Sequence, residues 1–286
     1  MTRSNTSETS SHLRPTAALG AWAAAWLAGT VPADAVLDTL ADIAPRHRFI
    51  TDVDDPADDP MAAGDTGTAE MLAVLKTATF IELRLPAPGD PHGLPPGDVT
   101  RQILRSGEVL LLTTPDDDAP TLLFPGRPGT GSLRAGPFGA TGDQFCWNIA
   151  QFEVPAAPLT DYSVGAAARD LKEATRTAAD VLSDLPSMSS GTKDTLRLEL
   201  AAATERRTVT LPPHDGTRAD NLLASAARID AILDVATARG ATFGLTARQG
   251  EGGDAQIREL RAITRRAVTV GVNALIVEIL GPPDTQ

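Results

Sequence analysis

The chain reads as α+β: a small, mainly antiparallel sheet with flanking helices, followed by a C-terminal antiparallel helical unit. Three observations predict this. Between residues 80 and 154, short apolar runs alternate with clusters of Pro, Gly and Asp, the punctuation of strands and turns. Beyond Pro155-Ala-Ala-Pro158 the apolar residues recur at helical spacing. The βαβ alternation and Gly-rich first turn of a doubly wound nucleotide fold do not occur in the sequence. The layout expected is a disordered tail over residues 1–14, a sheet domain over 15–158 and a helical region over 159–286 packed on it.

Residues 1–14 are rich in Ser and Thr and lack an apolar period. A helix opens at Pro15 or Thr16 and runs to about Gly29, with Leu19, Trp22, Trp26 and Leu27 on one face. Pro32 sits at the first turn of a second helix carrying Val36, Leu37, Leu40 and Ile43, and Pro45 closes it. Residues 51–67, with five aspartates over 52–59, read as an exposed loop, and a helix follows around 68–77. Phe80, Ile81, Leu83 and Leu85 alternate with Glu82 and Arg84 as a strand, expected at the centre of the fold. Its exit is a loop holding five prolines and three glycines between Pro86 and Gly97. Asp98 is placed to cap a short helix, Val99 to Ser106, that Gly107 ends.

Val109–Thr114 and Thr121–Phe124 follow as two strands joined by the turn PDDDAP. A Gly-rich stretch, 126–142, leads to a last strand, Gln144 to Val154, and the helices are expected on one face of the sheet. Leu171, Ala174, Ala178, Val181, Leu182 and Leu185 form one helical stripe, and Leu222, Ala226, Ile229, Leu233 and Ala236 a second. Ile257, Leu260, Ile263, Ala267 and Val270 begin a last helix that turns apolar nearly all round from Val268 to Leu280. Its β-branched residues and Gly271 leave a buried strand as the alternative there.

The net charge is −12: residues 1–150 carry 19 acidic and 10 basic side chains, and residues 151–286 carry 18 and 15. Such a chain repels phosphate backbones and anionic lipid, so neither nucleic acid nor membrane is an expected partner. Cys146 is the single cysteine, which excludes an intramolecular disulfide and any zinc site needing two thiolates from one chain. That fits a cytoplasmic location. The competing reading takes the apolar run 17–29, behind Arg3 and Arg14 and before Ala33-Asp34-Ala35, as a signal peptide. Its alanine content and the face made by Leu19 and Trp22 favour an ordinary packed helix.

Candidate chemistry is sparse. The aspartates at 52, 54, 55, 58 and 59 are broken by Pro56 and Pro60, without the glycine and terminal Glu of a calcium loop. Gly126 to Ser132 lacks the lysine of a phosphate loop. Cys146 lies between Phe145 and Trp147 without an electropositive neighbour in sequence. His12, His47, His92 and His214 have no metal-binding spacing. No catalytic residue, metal or cofactor is therefore assigned, and an enzyme is the less favoured reading. Arg258, Arg261 and Arg265 form a basic stripe, read as a solvated face or as a contact for the acidic first half of the chain.

What remains is a ligand site built from loops 86–97 and 126–136. Asp90 and His92, two apart in a proline-stiffened turn, would face a ligand together, and Arg127 and Arg134 would neutralise an anion. The plainer reading gives Asp90 a turn bond to its own backbone and leaves His92 exposed.

The segments AWLAGTVPADAVLDTLAD and IELRLPAPGDPHGLPPG, followed by an Ala/Arg/Asp-rich helical C-terminus, resemble a family of uncharacterised actinobacterial proteins. The most specific element is R-L-P-x-P-G-D-P-x-G-L, Arg84 to Leu94. With 22 Arg against three Lys, the composition has the same high-GC character. The resemblance implies a soluble cytoplasmic protein and supplies no catalytic residues. The function expected is a non-catalytic protein-interaction or scaffold module, meeting a protein partner or a second copy through the C-terminal helix. The alternative is the small-molecule or anion site of Asp90, His92, Arg127 and Arg134.

Overall fold

The computed structural model describes residues 14–50, 67–115, 119–126, 140–141, 144–152, 154–159, 162–183, 190–238 and 247–281. The fold is α+β, with a mixed sheet, flanking helices and a run of C-terminal helices. The chain divides into two compact units, Met1–Leu159 with Ile279–Gln286, and Thr160–Glu278.

In the first unit the elements run α1 (Pro15–Leu27), α2 (Ala33–Ile43), β1 (Arg46–Ile50), α3 (Gly67–Lys76), β2 (Phe80–Arg84), α4 (Asp98–Ser106), β3 (Val109–Thr113), β4 (Thr121–Pro125), β5 (Ala140–Thr141) and β6 (Gln144–Gln151). The sheet order is β1-β6-β4-β3-β2, with β5 paired to β6. The β1–β6 pair is parallel and the others are antiparallel. The 80–84 strand therefore lies at an edge of the sheet and not at its centre. The expected 109–124 hairpin is present as β3–β4.

Helices cover both faces, against the expectation of one. The runs Val-Leu-Leu-Leu in β3 and Leu-Leu-Phe in β4 are buried at every position, as strands covered on two sides must be. On one face Val109, Leu111, Leu122 and Phe124 pack with Leu94, Ile103 of α4 and Phe152. Successive strand residues point to opposite faces, so Leu110 turns to the other, where it meets Gly20 of α1. A methyl group at Gly20 would fall 2.7 Å from a Leu110 methyl, so the missing side chain lets α1 lie close on the sheet.

Small residues set the orientation of α1. Ala17, Leu19, Ala21, Ala23, Ala24 and Ala25 are fully buried, whereas Trp22, Trp26 and Leu27 are half-buried. Of the bulky face expected to point inward, Leu19 is buried while the two tryptophans and Leu27 are only half-buried, because alanine allows a closer approach than tryptophan. Asp98 also differs from expectation: it is the first helical residue of α4, preceded by Gly97, and pairs with Arg101. Gly107 ends α4 in the left-handed conformation, φ 79°, as expected.

Strand β1 has no counterpart in the sequence reading. His47 is its one fully buried residue, flanked by Arg46 and Arg48, so it shows no apolar pattern. Gly67 at the start of α3 lies close against it, where a Cβ would run into the His47 carbonyl.

The second unit holds α5 (Val164–Ser183), α6 (Ser190–Arg207), α7 (Thr217–Ala238) and most of α8 (Ala247–Leu280). Helix α7 packs on both α5 and α6. It meets α8 in antiparallel register: Leu223 on Gly271, Asp230 to Thr264 and Asp234 to Arg261, with Gly216, just before α7, beside Glu278. The stretch 268–280 is helical, which removes the strand alternative. Val268, Val272, Leu275 and Ile276 are buried within the chain, and Val277 and Glu278 face outward. Helix α6 was not marked by an apolar stripe. Its buried contact is Ala203, packed with Ala231 and Val235, and flanked by Leu196 and Leu200.

Candidate functional site

The loop leaving β2 is built from two consecutive turns. Ala87 and Asp90 exchange backbone bonds of 2.9 and 2.8 Å across Pro88-Gly89, with Gly89 at φ 85°. Proline presets the first corner and glycine takes the positive φ of the second, the pattern of a type II turn. Next, the Leu94 amide donates to the Pro91 carbonyl at 3.1 Å across His92 and Gly93, at φ 51° and 73°. Two positive angles are the signature of a type I′ turn. Among the described residues His92 is the one non-glycine at positive φ. The order P-x-P-G-D-P-x-G-L is thus a turn specification.

Arg84 ties these turns to a distant segment. Its side chain is almost fully buried. Nε donates to Glu82 Oε1 at 2.6 Å, and Nη1 donates to the carbonyls of His92 at 2.9 Å and Ala157 at 2.8 Å. The Ala157 amide completes the clasp by donating to the Gly93 carbonyl at 2.9 Å. A planar fork of fixed donors suits this task, since it satisfies several acceptors from one buried point. A side chain on Gly93 would fall 2.8 Å from the Ala157 oxygen.

Asp90 and His92 are brought together: Asp90 Oδ2 lies 3.3 Å from His92 Nε2. The imidazole side chain is 9% exposed and the carboxylate 42%, so the pair presents its acidic member to solvent. His92 is therefore not the exposed residue of the plainer reading. Arg127 and Arg134 lie outside the described residues, as do the aspartates 52–59 and the rest of the loop 127–136.

Other reactive groups serve the interior. Trp147 Nε1–H donates to His47 Nδ1 at 3.0 Å. The indole is donor-only, so His47 carries its proton on Nε2, which donates to the carbonyls of Leu40 at 2.8 Å and Ala44 at 3.1 Å. Cys146 is buried, and burial pushes its thiol pKa up although Arg48 opposes it; this is the opposite of an activated nucleophile. Among the described residues no three His, Cys, Asp or Glu side chains converge as a metal site.

In the helical unit, Arg207 of α6 makes a two-pronged contact with Asp234 of α7, Nε–Oδ2 and Nη2–Oδ1 both at 2.8 Å. Arg261 of α8 reaches Asp234 Oδ1 at 3.3 Å, so this member of the basic stripe is bound inside its own unit and is not a solvated face. Thr264 donates to buried Asp230 at 2.5 Å, and Arg207 Nη1 stands 3.9 Å from the same carboxylate.

Glu108 has no counterpart among the residues singled out from the sequence. This buried carboxyl accepts from Thr16 Oγ1 at 2.5 Å and from the Thr16 amide at 3.3 Å, across 92 positions. Burial raises its pKa to about 7, against the Thr16 bonds and the Arg14 charge, which lower it.

Two family descriptions match these two units: Rv1486c-like protein, N-terminal domain, over residues 16–162, and Rv1486c-like protein, C-terminal domain, over residues 165–269. The chain belongs to the Rv1486c-like family. An uncharacterised protein of Mycobacterium leprae is 29% identical over 92% of this chain and 97% of its own length. An uncharacterised protein of Mycobacterium tuberculosis, Rv1486c, is 30% identical over 77% of this chain and 82% of its own. A third, from Mycobacterium avium, is 28% identical over 77% of this chain and 78% of its own. No solved structure matches the chain. The resemblance to uncharacterised actinobacterial proteins is thus this Rv1486c-like family. Among the described residues no helix is long and apolar enough to cross a membrane.

Proposed function

We propose that this Rv1486c-like protein is a non-catalytic protein-interaction module of the cytoplasm, with its docking surface on the helical unit and the Arg84–Leu94 segment as the family's structural signature. The observation that carries the reading is Leu198, a large apolar side chain 72% exposed in the middle of α6. Ala201 and Ala202 are exposed three and four positions further on, so an apolar strip continues along the same helical face. Its support from elsewhere is the internal use of Arg84, His47, Cys146 and Arg207, side chains that a catalytic site would draw on.

A photo-activatable aromatic residue placed at position 198, irradiated in the host cell, tests this reading. A single discrete adduct is expected there, with none from the same residue placed at Val154, which is 61% exposed in the sheet unit. Equal, diffuse labelling from both positions would contradict it.

The second reading is a small-molecule or anion site at loops 86–97 and 126–136, with Asp90, His92, Arg127 and Arg134. The Asp90–His92 pair at 3.3 Å favours it, as an imidazole backed by a carboxylate. Adding phosphate should then shift the His92 ring resonances saturably, and an unchanged spectrum at high concentration would end it.

A further inference from the structure

We propose that α6 is a hinged strap on the helical unit: it lifts from α7 as one piece, turning at residues 209–211, and leaves α7 packed with α5 and α8. Its hold on α7 is thin. Of its side chains from Asp194 to Arg207, Ala203 is the one fully buried, packed with Ala231 and Val235 of α7 and flanked by half-buried Leu196 and Leu200. Helix α5, which also packs on α7, buries Ala167, Leu171, Ala174 and Ala178 as a continuous stripe. Docking energy grows with the apolar surface covered, so α6 is held less firmly than α5.

The remaining fastening is polar and sits at one end. Arg207, the last residue of α6, makes the two-pronged contact with Asp234 and stands 3.9 Å from Asp230. Its departure strands neither carboxylate. Asp234 keeps Arg261 at 3.3 Å and Asp230 keeps the Thr264 hydroxyl at 2.5 Å, both from α8. The freed guanidinium returns to water, so opening leaves no buried charge without a donor, the condition that makes broken buried pairs costly.

The turning point has a fixed post on its far side. His214 Nδ1 donates to the Pro212 carbonyl at 2.7 Å, its Nε2 lies 3.0 Å from Asp220 Oδ1 in the first turn of α7, and Pro212 is buried. On the near side the Thr208 amide still bonds back to the Thr204 carbonyl at 3.0 Å, as part of the helix end. Between these posts residues 209–211 lie outside helix and strand, with Thr210 exposed. Lifting α6 carries Leu198 with it and uncovers Ala231 and Val235 beside Asp230 and Asp234. The strap opens this way whether or not Leu198 meets a partner.

Hydrogen exchange of the full chain, corrected for intrinsic amide rates, reads the strap, since a lifted helix of 18 residues is marginal by itself in water. The amides of residues 196–205 should share one opening constant, about a hundredfold or more above that of residues 226–229 in α7. Arg207→Met keeps the stem and removes the fork. It should raise the α6 constant by about tenfold and leave residues 167–174 of α5 and 226–229 of α7 unchanged. An α6 that exchanges in step with α7 would overturn the strap, as would a graded profile fastest at one end, the mark of fraying. So would a variant that speeds α7 equally or leaves α6 untouched. Failure of Arg207→Met to fold would overturn it too, because the other three helices are said to stand without α6.

Discussion

The guanidinium of Arg84 donates to the carbonyl of Ala157 at 2.8 Å, 73 positions along the chain. This bond, with the Arg84 bond to His92, places the strand exit and the segment after β6 in one clasp. The Pro/Gly loop is stiff because its two turns are fastened at their base.

Arg84→Lys keeps the charge and loses the fork. It leaves at least one buried carbonyl without a donor, so we expect a loss of about 2–4 kcal/mol. Urea unfolding would measure it. A change within error would mean the clasp contributes nothing.

Gly93 and Gly89 separate two effects. Both have positive φ, but a Cβ at Gly89 meets open space while one at Gly93 meets the Ala157 carbonyl. Gly89→Ala should cost about 1 kcal/mol of backbone strain, and Gly93→Ala about 1–3 kcal/mol more. Equal costs would place the whole effect in the backbone angle.

Trp147→Phe keeps a ring in the core and removes the indole donor from His47 Nδ1. The expected cost is about 1–3 kcal/mol for the stranded acceptor. The nitrogen shift of His47 Nδ1 in wild type should also show a neutral, Nε2-protonated ring, and a Nδ1-protonated ring would refute the assignment.

Asp230→Ala and Thr264→Val test the α7–α8 register by a double-mutant cycle. Side chains 2.5 Å apart in the interior should couple by about 0.5–3 kcal/mol, read as the difference between the double variant and the summed single ones. Simple additivity would mean that this bond does not set the register.

Much of the fold was legible because it rests on local pattern. The apolar runs of β3 and β4 and the stripes of α5 and α7 announce their elements. Strand β1 and helix α6 were missed because each buries so little: His47 in one and Ala203 in the other. Tryptophan misled the reading of α1, where close approach favours alanine over bulk. The site divides in the same way. Asp90 and His92 are two positions apart, so their meeting was readable, but Arg84 looked like the solvent-facing residue of an alternating strand. Its partner Ala157, like Thr16 for Glu108, lies far away in sequence, and a single sequence carries no signal for such pairs.

The central claim is that the helical unit docks a protein through the face marked by Leu198, while the Arg84 clasp serves the fold. The most direct measurement is the native mass of the full chain in host extract, wild type against Leu198→Glu, beside their melting temperatures. The account predicts a wild-type complex, a variant reduced to the mass of the free chain, and melting temperatures that agree within about 2 °C, as for an exposed substitution. A variant that keeps the wild-type mass would contradict it.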